Sequence, residues 1–241
     1  MQPEEAARQS AEGIGALPAN FMIDGATYER GEALGFEGFD FYTAGRGGAL
    51  GDVDGRTVAA TFVYFNHAQI VESWERGLKV STPAESTAAF AGCLRAWART
   101  HFADGPDYGR LAELAGRVVE GADIAAAPLF AAWSSLPEPD DPRELALHRL
   151  NLLRELRGAR HGGAVLAAGL SPLQALAVKT PYMAAIFGWT DPLPDAEPLR
   201  AAWQLAEDGT DRAVGRAFAA IEAAERAEFV ELVQAAQAAV S

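Results

Sequence analysis

Tyr42, Arg46, Tyr64, Asn66 and His67 fall within 26 residues and alternate with Phe39, Phe41, Phe62 and Phe65. Aromatic walls with a few convergent polar groups are what small-molecule pockets are built from. Cores with satisfied tyrosines share that composition. A pocket is the reading taken here, because Arg46 stands in a glycine-rich stretch inside an apolar neighbourhood. A guanidinium offers a planar fork of donors to carboxylate or phosphate, so the expected ligand is anionic or a polar aromatic molecule.

A second concentration of chemistry lies at residues 143–179. There Arg143, Arg149, Arg154, Arg157, Arg160 and Lys179 meet only Glu144 and Glu155, in a chain of net charge -13. On a helix Arg154, Arg157 and His161 fall within about 60° of one another, whereas Leu145, Leu152 and Leu156 share a different face. One face packs and another presents cations, either to solvent or to a pocket. Gly158, Gly162 and Gly163 interrupt this strong helix former. They read in two ways: Gly158 ends one helix and Gly163 begins the next, or the glycines let something approach the backbone. Arg46-Gly47-Gly48-Ala49 and His161-Gly162-Gly163-Ala164 share an order of residue types, which a chain with 24 glycines also produces by chance.

If the chain is catalytic, His161 and His148 are the acid–base candidates, since imidazole titrates near neutrality. The ligand-binding candidates are Tyr42, Arg46, Tyr64, Asn66, Arg154 and Arg157. Around Arg46 and Arg157 the nearest acids in sequence are Asp40, Asp52 and Glu155. A bound anion is therefore the expected source of countercharge. Cys93, on an apolar helix face, reads as buried and inert. The stretch GRGGALG has neither the Lys-Ser/Thr ending of a phosphate loop nor the acidic partner of a dinucleotide fingerprint. His67, His101, His148 and His161 form neither HxH nor HExxH, so no metal site is assigned, and the cofactor is left unknown. Glu144 and His148, four apart, read as a salt bridge.

The elements that must position these groups are helical. With 241 residues and 49% hydrophobic content, the chain can bury one large core or two modest ones. Helical periods run from Ala68 to Gly77, from a Thr82-Pro83 start to about His101, and from Asp107 to a stop at Gly121. A short apolar helix is expected over residues 123–134 and a long terminal one over 211–239. Residues 57–65 are β-branched and aromatic enough for a strand, but helical neighbours favour helix. A short N-terminal helix should break at Gly13, Gly15 and Pro18. LPEPDDP, residues 136–142, is the best boundary. The expected fold is a mainly α multi-helix bundle in two halves, 1–136 with the aromatic site and 143–241 with the Arg/His helix.

Charge bounds the partners. The net charge of -13 and a pI near 4.7 argue against non-specific contact with phosphate backbones or anionic membranes. One cysteine excludes an intrachain disulfide. No apolar run reaches the roughly 18 residues of a membrane span. The N-terminus is acidic where a signal peptide is basic. A cytoplasmic, unprocessed protein is expected, with self-association as a homodimer left open.

The stretches LRELRGARHGGAVLAAGL and YTAGRGGALG…ATFVYFN resemble the motifs LREHRGDGHxAALVAAGL and YFAGRAAPLG…ATFYNF of an actinobacterial family known under a helix-turn-helix label. The resemblance covers roughly residues 30 to 190. Tyr42, Arg46, Leu50, Gly51, Phe62, Phe65, His148, Arg157, Gly158 and His161 match, whereas Leu156 replaces a His, Ala159 an Asp and Ala49 a Pro. The lost His and Asp flank the matched Arg157, so the resemblance does not carry over chemistry that needs them. The resemblance implies a winged-helix portion, here degenerate: LAEDGTDRAV leads from helix to helix without the expected hairpin.

Two functions follow. The first is a small-molecule-binding helical protein, in its furthest form a specialised-metabolism enzyme using Arg and His in a pocket between the halves. The second, implied by the resemblance, is a diverged helix-turn-helix DNA-binding transcriptional regulator. Residues 191–241 carry ten acids and four arginines, which opposes a nucleic-acid partner there and puts the ligand reading first.

Overall fold

The computed structural model describes residues 1–102 and 105–240. It contains α1 (Pro3–Ile23), α2 (Gly25–Ala33), α3 (Asp40–Gly47), α4 (Gly55–Thr61), α5 (His67–Gly77), α6 (Pro83–His101), α7 (Tyr108–Glu120), α8 (Pro128–Trp133), α9 (Pro142–Ala167), α10 (Pro172–Lys179), α11 (Arg200–Phe218) and α12 (Ala223–Ala239). Short 3-10 turns lie at Gly48–Leu50, Pro181–Met183 and Glu197–Leu199, and no strand occurs among the described residues. The fold is thus the mainly α bundle that the periodicity predicts.

α9 is the axis. Asp141 caps it by accepting from the amides of Arg143 and Glu144, and Pro142 occupies its first turn. Ala146, Leu147, Leu150, Leu152, Leu153, Leu156 and Val165 are buried at positions around its circumference. A helix whose buried positions are spread this widely must be enclosed over most of its surface, and α1, α6, α7, α8, α10 and α11 all pack on it. One continuous apolar cluster runs from Ala6 in α1 to Ala236 in α12. The two halves expected on either side of residues 136–142 share that core.

Five expectations about elements change. α9 runs unbroken through Gly158, Gly162 and Gly163. A Cβ on Gly158 or Gly163 would meet nothing within 4 Å, and only Gly162 faces a neighbour closely, the Val63 side chain at 3.0 Å. α1 likewise continues through Gly13, Gly15 and Pro18. Its stripe of Ala6, Ser10, Ile14, Leu17 and Phe21 is buried, and Gly13 lets Val233 of α12 pack directly on the backbone. Burial of this stripe outweighs the local cost of the breakers.

The long terminal helix divides into α11 and α12. Ile221 is buried in the break, Glu222 and Glu225 form a capping box, and Arg226 donates to the carbonyls of Phe218 and Ile221. These groups satisfy the helix ends that the turn exposes. Residues 123–127 form a turn, leaving only α8 as helix, and residues 62–66 form a turn after α4.

Glycine is required elsewhere. A Cβ on Gly45 would lie 2.5 Å from that of Phe90, a residue with no exposed surface. Gly45→Ala should therefore destabilise by about 1–3 kcal/mol through overpacking. Gly163→Ala, in open space on a helix interior, should stabilise by up to ~1 kcal/mol. Urea unfolding of both variants checks the pair, and equal midpoints would contradict the packing described.

Candidate functional site

The site is built where α3 meets α9. All eight residues of α3 are buried. Asp40 at its start accepts two hydrogen bonds from Arg76 of α5, at 2.8 Å each, and Thr87 of α6 donates to the Gly45 carbonyl at 3.0 Å. Trp133 of α8 donates its indole N–H to the Arg46 carbonyl at 3.0 Å. Held from three sides, α3 points Tyr42 and Arg46, one turn apart, towards α9.

Arg46 makes a two-point pair with Glu155, Nε to Oε1 at 2.8 Å and Nη2 to Oε2 at 2.7 Å. Its Nη1 donates to the Tyr42 hydroxyl at 3.1 Å, and its guanidinium lies over the Phe62 ring, 4.4 Å from the centroid. Burial alone would raise the Glu155 carboxyl. The Arg46 charge and hydrogen bonds, with help from Arg154, prevail and hold it below its usual range. The countercharge for Arg46 is therefore a residue of the chain, where the sequence pointed to a bound anion.

Arg46 and Arg157 border one cavity of about 360 Å³, between the end of α1, α3, the 61–65 turn, α9 and residues 183–187. Tyr42, Tyr64, Arg154 and His161 also line it. Arg157 donates through Nη2 to Glu207 of α11 at 3.1 Å, and Arg154 to Glu155 at 3.2 Å. The buried Tyr64 hydroxyl has no hydrogen-bond partner among the described residues. Burial pushes that hydroxyl's pKa upward, so Tyr64 is a donor throughout the neutral range.

The state of His161 follows from its partner. The Thr210 hydroxyl spends its one proton on the Ala206 carbonyl at 2.7 Å, so it accepts from His161 Nδ1, 2.9 Å away. The neutral ring then presents an unprotonated Nε2, 3.8 Å from Glu207 Oε1. Burial and the charge of Arg157 lower the imidazole pKa to about 4. At neutral pH His161 is a hydrogen-bond acceptor and a weak base.

Two candidates lie outside this wall. His148 is buried one face away, its pKa lowered to about 4 by burial together with Arg149 and Arg95. It is absent from the cavity lining, and its Nε2 has no partner among the described residues. Asn66 caps α5, accepting from the amides of Ala68 and Gln69. No group of His, Cys, Asp or Glu among the described residues could hold a metal ion.

Sequence reasoning missed Glu207, Thr210 and the 183–187 segment. The backbone N–H of Asn66 donates to the Phe187 carbonyl at 2.7 Å, the Trp189 indole donates to the Tyr64 carbonyl at 2.8 Å, and the Phe65 and Phe187 ring centroids lie 4.0 Å apart. Nothing local in residues 183–189 announces this docking.

A second unit adjoins the cavity. α9 ends in the turn Ala168-Gly169-Leu170, where Gly169 takes φ +81, and α10 leaves bent by 106°. Two helices near a right angle, joined by a short turn containing glycine, define a helix-turn-helix. Among its described residues the molecule is therefore all-helical, with a cavity beside two helices in a helix-turn-helix arrangement. The chain belongs to a helix-turn-helix family, whose profile matches residues 7–241. Comparison with curated proteins and with solved structures found no match.

The buried pair and the histidines each give a test. Glu155→Gln leaves Arg46 buried without countercharge and should cost about 3–5 kcal/mol, whereas Arg46→Met with Glu155→Leu should recover most of it. Urea unfolding of the single and double variants checks this, and additive costs would disprove the coupling. For His148 and His161 the folded pKa lies below the unfolded one. The unfolded chain takes up protons that the native one refuses, so their contribution is present above about pH 6.5 and is lost as the pH falls towards about 4. His148→Gln should reduce the slope of stability against pH across that window.

Proposed function

We propose that this helix-turn-helix family member binds a small molecule in the cavity between α3 and α9. The observation that carries the reading is the composition of the cavity wall. Aromatic and aliphatic side chains surround a few polar groups: Arg154, Arg157 and His161, each held by a partner, and the unpartnered Tyr64 hydroxyl. This is the make-up of a binding site, in which apolar area supplies affinity and few polar groups supply orientation. Because His161 is neutral and weakly basic at neutral pH, binding is favoured over acid–base catalysis.

Gly158 lines the cavity with open space where its Cβ would be, so Gly158→Trp should fill the site without disturbing the core. Thermal shift of the wild type against carboxylates, phosphates and aromatic acids should give stabilisers whose effect is lost in Gly158→Trp. A panel with no stabiliser, or stabilisation that survives the filled cavity, would count against the reading.

DNA binding through α9 and α10 is the second reading, favoured by the family and by the right-angle turn. Charge opposes it. On α10 only Lys179 is cationic, and the side chain of Gln174 is spent in the capping box with Ser171. Arg157, towards the nearer end of α9, is paired with Glu207, and Arg160, nearer still, donates to the Asp123 and Ala125 carbonyls. A surface whose cations are few and mostly engaged gains little from counterion release. Anisotropy titration against mixed-sequence duplexes should show no submicromolar complex at physiological salt. A tight complex that weakens steeply with salt would put the regulator reading first.

A further inference from the structure

We infer that the occupant of the cavity is an amphipathic monocarboxylate, with an apolar body and one carboxylate seated at Arg154 and Arg157. The inference rests on the small-molecule reading above and narrows it in two respects, the number of charges and the place of the head group.

The charge count comes first. Three guanidinium groups, those of Arg46, Arg154 and Arg157, line the cavity, and the carboxylates paired with them are Glu155 and Glu207. His161 adds no charge at neutral pH, since its pKa lies near 4. One positive charge is left over, which a monoanion balances. A phosphate monoester, near two negative charges at neutral pH, overshoots.

The position of the surplus follows from burial. Arg46 is closed off by Glu155, Tyr42 and Phe62 and has both edges of its fork engaged. Arg154 and Arg157 keep 24% and 22% of their side-chain surface exposed, and each has one side-chain partner. They lie three residues apart on one face of α9. Arg157 also has the unpartnered Tyr64 hydroxyl in its neighbourhood, close enough for its charge to act on that group. A planar carboxylate matches the donors of a guanidinium fork, and the Tyr64 hydroxyl is a further donor for it.

The rest of the cavity is apolar. Ile14, Phe39, Phe62, Phe65 and Phe187 line its interior. Three large apolar residues that also line it remain exposed: Ile23 at 69%, Tyr28 at 39% and Ile186 at 56%. An apolar chain leaving a head group at α9 covers these residues and removes their surface from water, worth roughly 25 cal/mol per Å². A small polar anion would leave this wall and rim unused.

The test is calorimetric titration of the full chain at pH 7.5 with decanoate, decan-1-ol, decylamine and decyl phosphate, each below its micelle concentration. Decanoate should bind one to one and at least ~10-fold more tightly than the alcohol, since a charge-assisted hydrogen bond exceeds the 1.4 kcal/mol that tenfold requires. Decylamine should not bind, and decyl phosphate should bind more weakly than decanoate. Arg154→Met with Arg157→Met should bring acid and alcohol within about twofold while keeping the alcohol's affinity, and Arg157→Met alone should move partway. Alcohol, amine or phosphate binding as tightly as the acid would overturn the carboxylate assignment, as would an acid preference that survives the double variant. If such binding is abolished by Gly158→Trp, the cavity reading stands and only the ligand class falls. If no member binds, or Gly158→Trp leaves binding intact, both fall.

Discussion

The pair between Arg46 and Glu155 joins positions 109 residues apart and fixes α3 against the axis of the molecule. Both side chains are almost wholly removed from solvent. Such a pair contributes little net stability, because desolvation consumes most of its Coulomb energy, but neither partner tolerates the loss of the other. Its effect is on geometry. A two-point guanidinium–carboxylate contact fixes orientation as well as distance, so α3 and the aromatic 62–66 turn packed on it are set relative to α9. The cavity is the space left over by that setting.

The same arrangement decides which groups face the cavity and which are closed off from it. Arg46 belongs to the wall and is spent on Glu155. Arg154 and Arg157 flank Glu155 on α9, each with one carboxylate partner and a partly exposed side chain. His161, one turn further, is held by Thr210 in the tautomer that presents Nε2. Edge-on contact with Trp203 and packing near Tyr64 keep its ring in a dry environment. A single helix thus grades from core to site along its length.

The helix-turn-helix unit depends on the same helix. Val165, Leu170 and Ala175 form, with Ala206 of α11, a small apolar cluster beside the main core. That cluster holds α10 across the end of α9. Residues 183–187, which follow α10, then return to line the cavity. Cavity and helix pair share their supporting elements.

The sequence by itself determined the helical class, most helix starts and the list of polar residues in aromatic surroundings. Caps such as Thr82, Asp107, Asp141 and Ser171 and the 3.6-residue period act locally, through neighbours within one or two turns. It also contained both members of the central pair, Arg46 and Glu155, but nothing local links side chains 109 residues apart, and the expected partner was a bound anion. Tertiary structure decided that pairing, the protonation of His161, the exclusion of His148 from the cavity and the continuity of α1 and α9 through their glycines. In each case the deciding energy is burial among residues distant in sequence: a dry environment sets the imidazole pKa, and an enclosing bundle keeps a helix intact where its own propensity falters.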